Sequence, residues 1–325
     1  MKKQERGFVL IVTLWVLAIA TVLTLSLGRR AFLDARAAAY GLEQTQARLM
    51  ARAAVNRGVI EIRNKFYKDL LNLEEQNSEV GFGGPPEGTN LGQPWAHPMD
   101  LYAEGASFEA TEEFDNDVVR LTIEDAESKI NINSAPREII DNIPFLDRSV
   151  KRRIWTRRTG EEEDEEIGPS RFQAIEELRY LRGMDDEEWF GEDGEPGARD
   201  LLSVWGFPLI NINTASREVL ACVPDLGEAA IEEILAYRGA PPEPGQQGAP
   251  QRGFKSLEEV QQYTSIQGDA VVAIQKFCTF DSRFFIITGL ATRQGGKVRV
   301  ECQAVVSAFD GAFTVHDWQE RSIGA

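Results

Sequence analysis

At 325 residues with 42% of them apolar, the chain is long enough for two or three compact units and is not a disordered polymer. Its formal net charge of -17 argues against sequence-independent nucleic-acid binding, which needs a basic face to displace counterions from phosphates. Three cysteines (Cys222, Cys278, Cys302) and two histidines (His97, His316) fit no zinc spacing. Two readings of the cysteines stay open: buried small apolar groups, or one bridge of unspecified pairing with a thiol left over.

Residues 8–28 form an uncharged apolar run. As a helix it spans about 31 Å, the thickness of a bilayer's hydrocarbon core. Lys2, Lys3 and Arg6 precede it and bias the short N-terminus to the cytoplasm, which exports the rest. The run exceeds the apolar core of an ordinary signal peptide, and no small-x-small cleavage site follows it. A plain signal anchor is one reading.

A short basic leader ending in Arg6-Gly7-Phe8, directly before the apolar helix, favours another. It resembles the processing signal of type IV pilins and pseudopilins. The resemblance implies that a prepilin peptidase cuts after Gly7 and methylates Phe8. Most such subunits carry a glutamate at the fifth mature position, where this chain has Val12. A carboxylate there is costly in lipid unless paired, and the K-type minor pseudopilins of the type II secretion system lack it. The departure therefore points to that subclass.

Beyond the membrane run, Phe32, Leu42, Leu49, Val55, Val59, Ile62, Phe66, Leu70 and Leu73 recur at three- and four-residue steps. They predict that the helix continues as an amphipathic spine. Residues 81–98 are rich in Gly and Pro and read as a loop. Strands are expected at 107–114 and 117–125, then at 283–292, 297–307 and 312–319, with turns at Gly295-Gly296 and Asp310-Gly311.

Between the strand groups lies a mostly helical block with an internal repeat. KININ-SAPRE at 129–138 returns as LININ-TASRE at 209–218, and the register holds through Pro144/Pro224, Leu146/Leu226, Ile154/Ile234 and Arg158/Arg238. FQAIEE at 172–177 is answered by FKSLEE at 254–259. Asn133/Asn213 and Ser134/Thr214 suit helix N-termini as acceptors for orphan amides, and Ser256 with Glu259 spells a capping box. The pattern also resembles helix-hairpin-helix modules. Its hairpins carry Asp147 and Asp225, and long acidic runs follow at 161–166 and 185–188, so a packing role is expected rather than DNA binding.

A duplicated helical block inserted into a pilin-like body is what the K-type resemblance implies. The expected fold is α+β: a long N-terminal helix packed on an antiparallel sheet, with a duplicated, helix-hairpin-helix-like domain between strands. The chain divides into a leader (1–7), a transmembrane helix (8–28), an amphipathic spine (29–75), a β region (76–127 and 281–325) and an insert (128–280) of two copies, 128–207 and 208–280. No nucleophile constellation, P-loop or dinucleotide fingerprint occurs, so no enzymatic activity is expected. No cofactor is required. The resemblance admits Ca²⁺ in the insert, with Asp185, Asp186, Glu192 and Asp193 as candidate ligands. It also implies a single-pass protein of the bacterial inner membrane with its C-terminal domain in the periplasm. Its partners would be the I- and J-type minor pseudopilins, the H and major G types, and the prepilin peptidase. A signal-anchored periplasmic adaptor or DNA receptor is the alternative.

Overall fold

The computed structural model describes residues 4–77, 88–96, 118–160, 169–239, 252–309 and 312–323. Its first element is the 74-residue helix α1 (Gln4–Asn77), which runs about 110 Å at 1.5 Å per residue. Leu14, Trp15 and Leu17 are among the exposed apolar side chains of the N-terminal part of α1. Thr13, Thr21 and Thr24 donate their hydroxyls to the carbonyls of Leu10, Leu17 and Ala20, so these polar groups are satisfied within the helix.

The C-terminal half of α1 lies on a four-stranded antiparallel sheet of β1 (Val118–Asp125), β6 (Phe284–Arg293), β7 (Val298–Phe309) and β8 (Ala312–Ile323), in that order. β6 alternates buried and half-buried residues along its length, as a sheet with one face on a helix must. The predicted stripe is buried from Val55 onward, with Val55 and Ile62 in the core and Val59 and Phe66 packed against it, whereas Phe32, Leu42 and Leu49 are exposed and Ala47, Ala51 and Ala54 complete the buried face. The reason is a close approach: a Cβ on Gly289 of β6 would lie 2.4 Å from the carbonyl oxygen of Ala51. Only small residues fit so near the sheet.

Strand ends also differ from expectation. β8 runs to Ile323, four residues past the predicted end at 319. Its added length meets the spine through Gln44–Ser322 at 2.7 Å and the two-point pair of Arg52 with Glu320 at 2.5 and 3.0 Å. The predicted strand at 107–114, the turn at Asp310-Gly311 and His97 lie outside the described residues. Gly295 and Gly296 have φ of +64° and +94°, which suits glycine in the β6–β7 turn.

β1 and β6 are sheet neighbours, yet the whole insert lies between them in sequence. Copy one contains β2 (Ile130–Asn131), α2 (Arg137–Asp141), α3 (Arg148–Thr159), α4 (Asp186–Phe190), α5 (Ala198–Leu201) and β3 (Leu202–Ser203). Copy two contains β4 (Ile210–Asn211), α6 (Arg217–Ala221), α7 (Glu228–Arg238), α8 (Leu257–Tyr263), α9 (Asp269–Phe277) and β5 (Cys278–Thr279). Each copy is closed by its own two-residue parallel ladder, Ile130–Asn131 on Leu202–Ser203 and Ile210–Asn211 on Cys278–Thr279. Ile139, Ile140 and Ile154 join Val219, Leu220 and Ile234 in one shared core, separate from the core between spine and sheet. All three cysteines are free and buried, two in the insert core and Cys302 under the spine. Burial pushes the Cys222 and Cys278 thiols up to about 12 and Cys302 to about 11.

Candidate functional site at the spine and the root of the insert

The repeated Asn residues do not cap helices. Asn133 accepts from Phe172 N (2.8 Å) and donates to Phe172 O and Val204 O; Asn213 accepts from Phe254 N (2.8 Å) and donates to Phe254 O and Phe280 O. Each therefore stitches two distant backbone segments into its own copy. A buried amide group can satisfy both its donor and acceptor this way, which a helix N-terminus would not allow. The α6 cap is Ser216, which accepts from Val219 N, and Pro136 precedes α2 without a side-chain cap bond. The predicted Ser256–Glu259 capping box is half present. Ser256 accepts from Glu259 N, but Glu259 accepts from Lys255 N, just as Glu177 accepts from Gln173 N in copy one.

Where the chain leaves the sheet, a polar clasp forms around Asp125. Its Oδ2 accepts from the hydroxyls of Thr214 and Ser282, both at 2.6 Å, and from Asn211 Nδ2 at 3.0 Å; its Oδ1 accepts from Glu127 N at 2.8 Å. The backbone N of Ser282 donates to Thr89 Oγ1 at 3.0 Å, and Thr89 in turn bonds Asp281. Lys65 of the spine reaches Asp281 at 3.3 Å. The clasp thus joins spine, sheet, the 88–96 segment and copy two. Burial raises the Asp125 carboxyl above its ordinary range, while its four hydrogen bonds oppose the rise. Glu127, buried beside it, is pushed up to about 8, first by burial and then by the Asp125 charge.

Copy one lacks this anchorage. Ser134, the counterpart of Thr214, has a buried hydroxyl without a hydrogen-bond partner. Copy one instead meets the sheet through aromatic contacts: Phe207 packs on Phe284 at 5.5 Å, and His316 stacks on Phe284 at 5.3 Å and lies near Trp205. His316, exposed on β8, also hydrogen-bonds Ser307 at 2.6 Å. The clasp residues Thr89, Asp125, Glu127, Asp281 and Ser282 were invisible to motif reading because they come together from across 193 residues of sequence.

Gly7 and Phe8 lie within the first turns of α1, which begins at Gln4, so the helix includes part of the expected leader. Val12 is 43% exposed on that helix. The four candidate calcium ligands are not brought together. Asp185 caps α4 by accepting from Glu188 N at 2.7 Å, and Asp186 pairs with Arg179 at 3.1 Å. Glu192 accepts a turn hydrogen bond at its backbone carbonyl, and Asp193 has a left-handed φ of +52°. Among the described residues no three His, Cys, Asp or Glu side chains are grouped together.

An apolar helix long enough to cross a bilayer, continuing as a spine on an antiparallel sheet interrupted by a duplicated insert, is a pilin-like α+β fold. Residues 210–276, within copy two, match the family described as Type II secretion system (T2SS), protein K. Comparison with curated proteins gives no match. Among solved structures, a chain of the GspK-GspI-GspJ complex from the enterotoxigenic Escherichia coli Type 2 Secretion System aligns at 16% identity and a TM-score of 0.49. The alignment covers 87% of this chain and 99% of that one.

Proposed function

We propose that this chain is a minor pseudopilin of the type II secretion system that nucleates and caps the pseudopilus, anchored in the bacterial inner membrane with its C-terminal domain in the periplasm. One observation carries the reading: residues 10–42 of α1 are exposed, while the C-terminal half of the helix is seated on the sheet. A helix apolar all round and without internal contacts needs lipid or neighbouring helices to cover it. In a growing fibre those neighbours are the spines of other pseudopilins, the I and J types first and then the H and G types.

The insert favours the tip. It is a second cored unit fixed to the sheet by the clasp, and its bulk is hard to accommodate inside a close-packed shaft of helices. Val12 adds to this, since it offers no carboxylate to a subunit placed ahead. The chain acts by assembly, with no catalytic step of its own, and prepilin peptidase is the enzyme that acts on it.

The test is the N-terminal residue of the membrane-extracted protein, with and without active prepilin peptidase. A methylated Phe8 start that depends on the peptidase is the expected result. An intact leader in both samples would overturn the pseudopilin route of assembly and leave a signal-anchored adaptor.

A further inference from the structure

Three stretches of chain run through the root of the insert, and all three meet at one side chain. Glu127 sits in a single 3₁₀ turn (Ala126–Ser128) on the stretch that leaves β1 for β2. Its carboxyl oxygen accepts from Arg283 N at 3.4 Å, on the stretch that returns from β5 to β6. It is also hydrogen-bonded by the backbone of Phe207, in the link between the two copies, where Phe207 packs on Phe284 of the sheet. The same link closes over Glu127 at Gly206, whose φ is +105°: a Cβ there would lie 3.0 Å from Glu127 Cγ.

Asp125 lies two positions away, and the two acids are served unequally. Asp125 is 3% exposed with four donors on its carboxyl group, while Glu127, at 2%, has two backbone groups. The charged groups around them are already paired. On the return stretch Asp281 holds Lys65 of the spine at 3.3 Å and Arg283 at 3.6 Å; on the outgoing stretch Lys129 holds Glu124 at 3.4 Å. Copy two and the 88–96 segment contribute the uncharged Asn211, Thr214 and Thr89. Two buried acids so close together, without a cation of their own, resist carrying two charges. Asp125, with the fuller set of donors, ionises first and Glu127 keeps its proton longer.

We infer that Glu127 is a proton-operated pin: protonated, it locks the insert onto the sheet, and ionised, it frees the insert to swing about its root. An ionised carboxyl group at this point has to draw in water, and water enters only as the outgoing, linking and returning stretches part. Asp125 meanwhile keeps its donors from Asn211, Thr214 and Ser282, so the tether to copy two holds while the angle between insert and sheet loosens. The sign follows from a carboxyl group raised to about 8: the joint is firm below that pH and loose above it.

The test is the distance between insert and sheet, read by double electron–electron resonance on the detergent-solubilised full chain. Spin labels are attached through Thr122→Cys on β1 and Gln262→Cys on α8, both exposed positions, while the three native thiols are buried. The distance distribution is expected to be narrow at about pH 6 and about twofold broader at about pH 10, with near-UV circular dichroism still native. Glu127→Gln should stay narrow at both, whereas Glu124→Gln, an exposed acid on the same strand, should follow the parent. A parent whose distribution keeps one width over this range overturns the proposal, whether or not the variants fold. So does a parent that unfolds cooperatively instead of loosening, or a Glu127→Gln chain that broadens as the parent does.

Discussion

Thr214 donates its hydroxyl to the Asp125 carboxylate at 2.6 Å, across 89 residues of sequence, and so fastens copy two of the insert to the end of β1. The equivalent hydroxyl in copy one, on Ser134, is buried and unpartnered. Thr214→Val should therefore destabilise the chain by about 1–3 kcal/mol, because it strips a bond from a buried carboxyl group. Ser134→Ala should be neutral or slightly stabilising. Urea unfolding of both variants checks this, and equal losses would show that the clasp does not distinguish the copies.

The approach of spine to sheet gives a steric prediction. Gly289→Ala puts a methyl 2.4 Å from the Ala51 carbonyl oxygen, and backbone cannot swing aside as a side chain would. Overpacking of this kind costs about 1–3 kcal/mol. Gly28→Ala, whose Cβ would meet nothing within 4 Å, is the control and should leave the unfolding midpoint unchanged.

Glu127 makes stability depend on pH. Its folded value of about 8 lies above that of an unfolded glutamate, so between the two the folded chain holds a proton the unfolded chain lacks. Stability should be greatest at the acid end of that window and fall as pH rises, by up to about 1.4 kcal/mol per unit from this group, levelling above about 8. Asp125, also raised by burial, acts in the same direction. Glu127→Gln should remove its share of the slope and unfold later than the parent in alkaline buffer. A parallel pair of pH profiles would contradict the assignment.

Asn133 and Asn213 each make three backbone hydrogen bonds to distant segments. Either one changed to Ala leaves a buried amide N–H, of Phe172 or Phe254, without its acceptor. A loss of about 1–3 kcal/mol is expected in each case. Hydrogen exchange at those two amides, faster in the matching variant only, would locate the damage.

Much of this architecture is legible in the sequence because it rests on local signals. The uncharged run before Gly28, the glycine pair at the β6–β7 turn and the repeated INxN motif each announce their element. What escapes is whatever depends on distance. Alanines 47, 51 and 54 carry no hydrophobic weight in a periodicity count, yet they form the seam because Gly289 draws the sheet so close. Asn133 and Asn213 look like caps since a cap is the commonest local use of asparagine; their true partners lie 39 and 41 residues away. Asp125 and Ser282 bear no mark of meeting at all.

The adjacency of β1 and β6 also sets an order of events in time. Asp125, the last residue of β1, pairs with Phe285, so the strand is synthesised long before its neighbour. Closing so long a loop before its contacts form is slow. The insert, with a core of its own, can condense during that wait and hold Asp125 and Ser282 close enough for the sheet to zip. A chain stalled with its insert unfolded would present β1 and the bare spine to proteases and to other unfolded chains, which makes the insert a determinant of how quickly each new chain reaches its folded state.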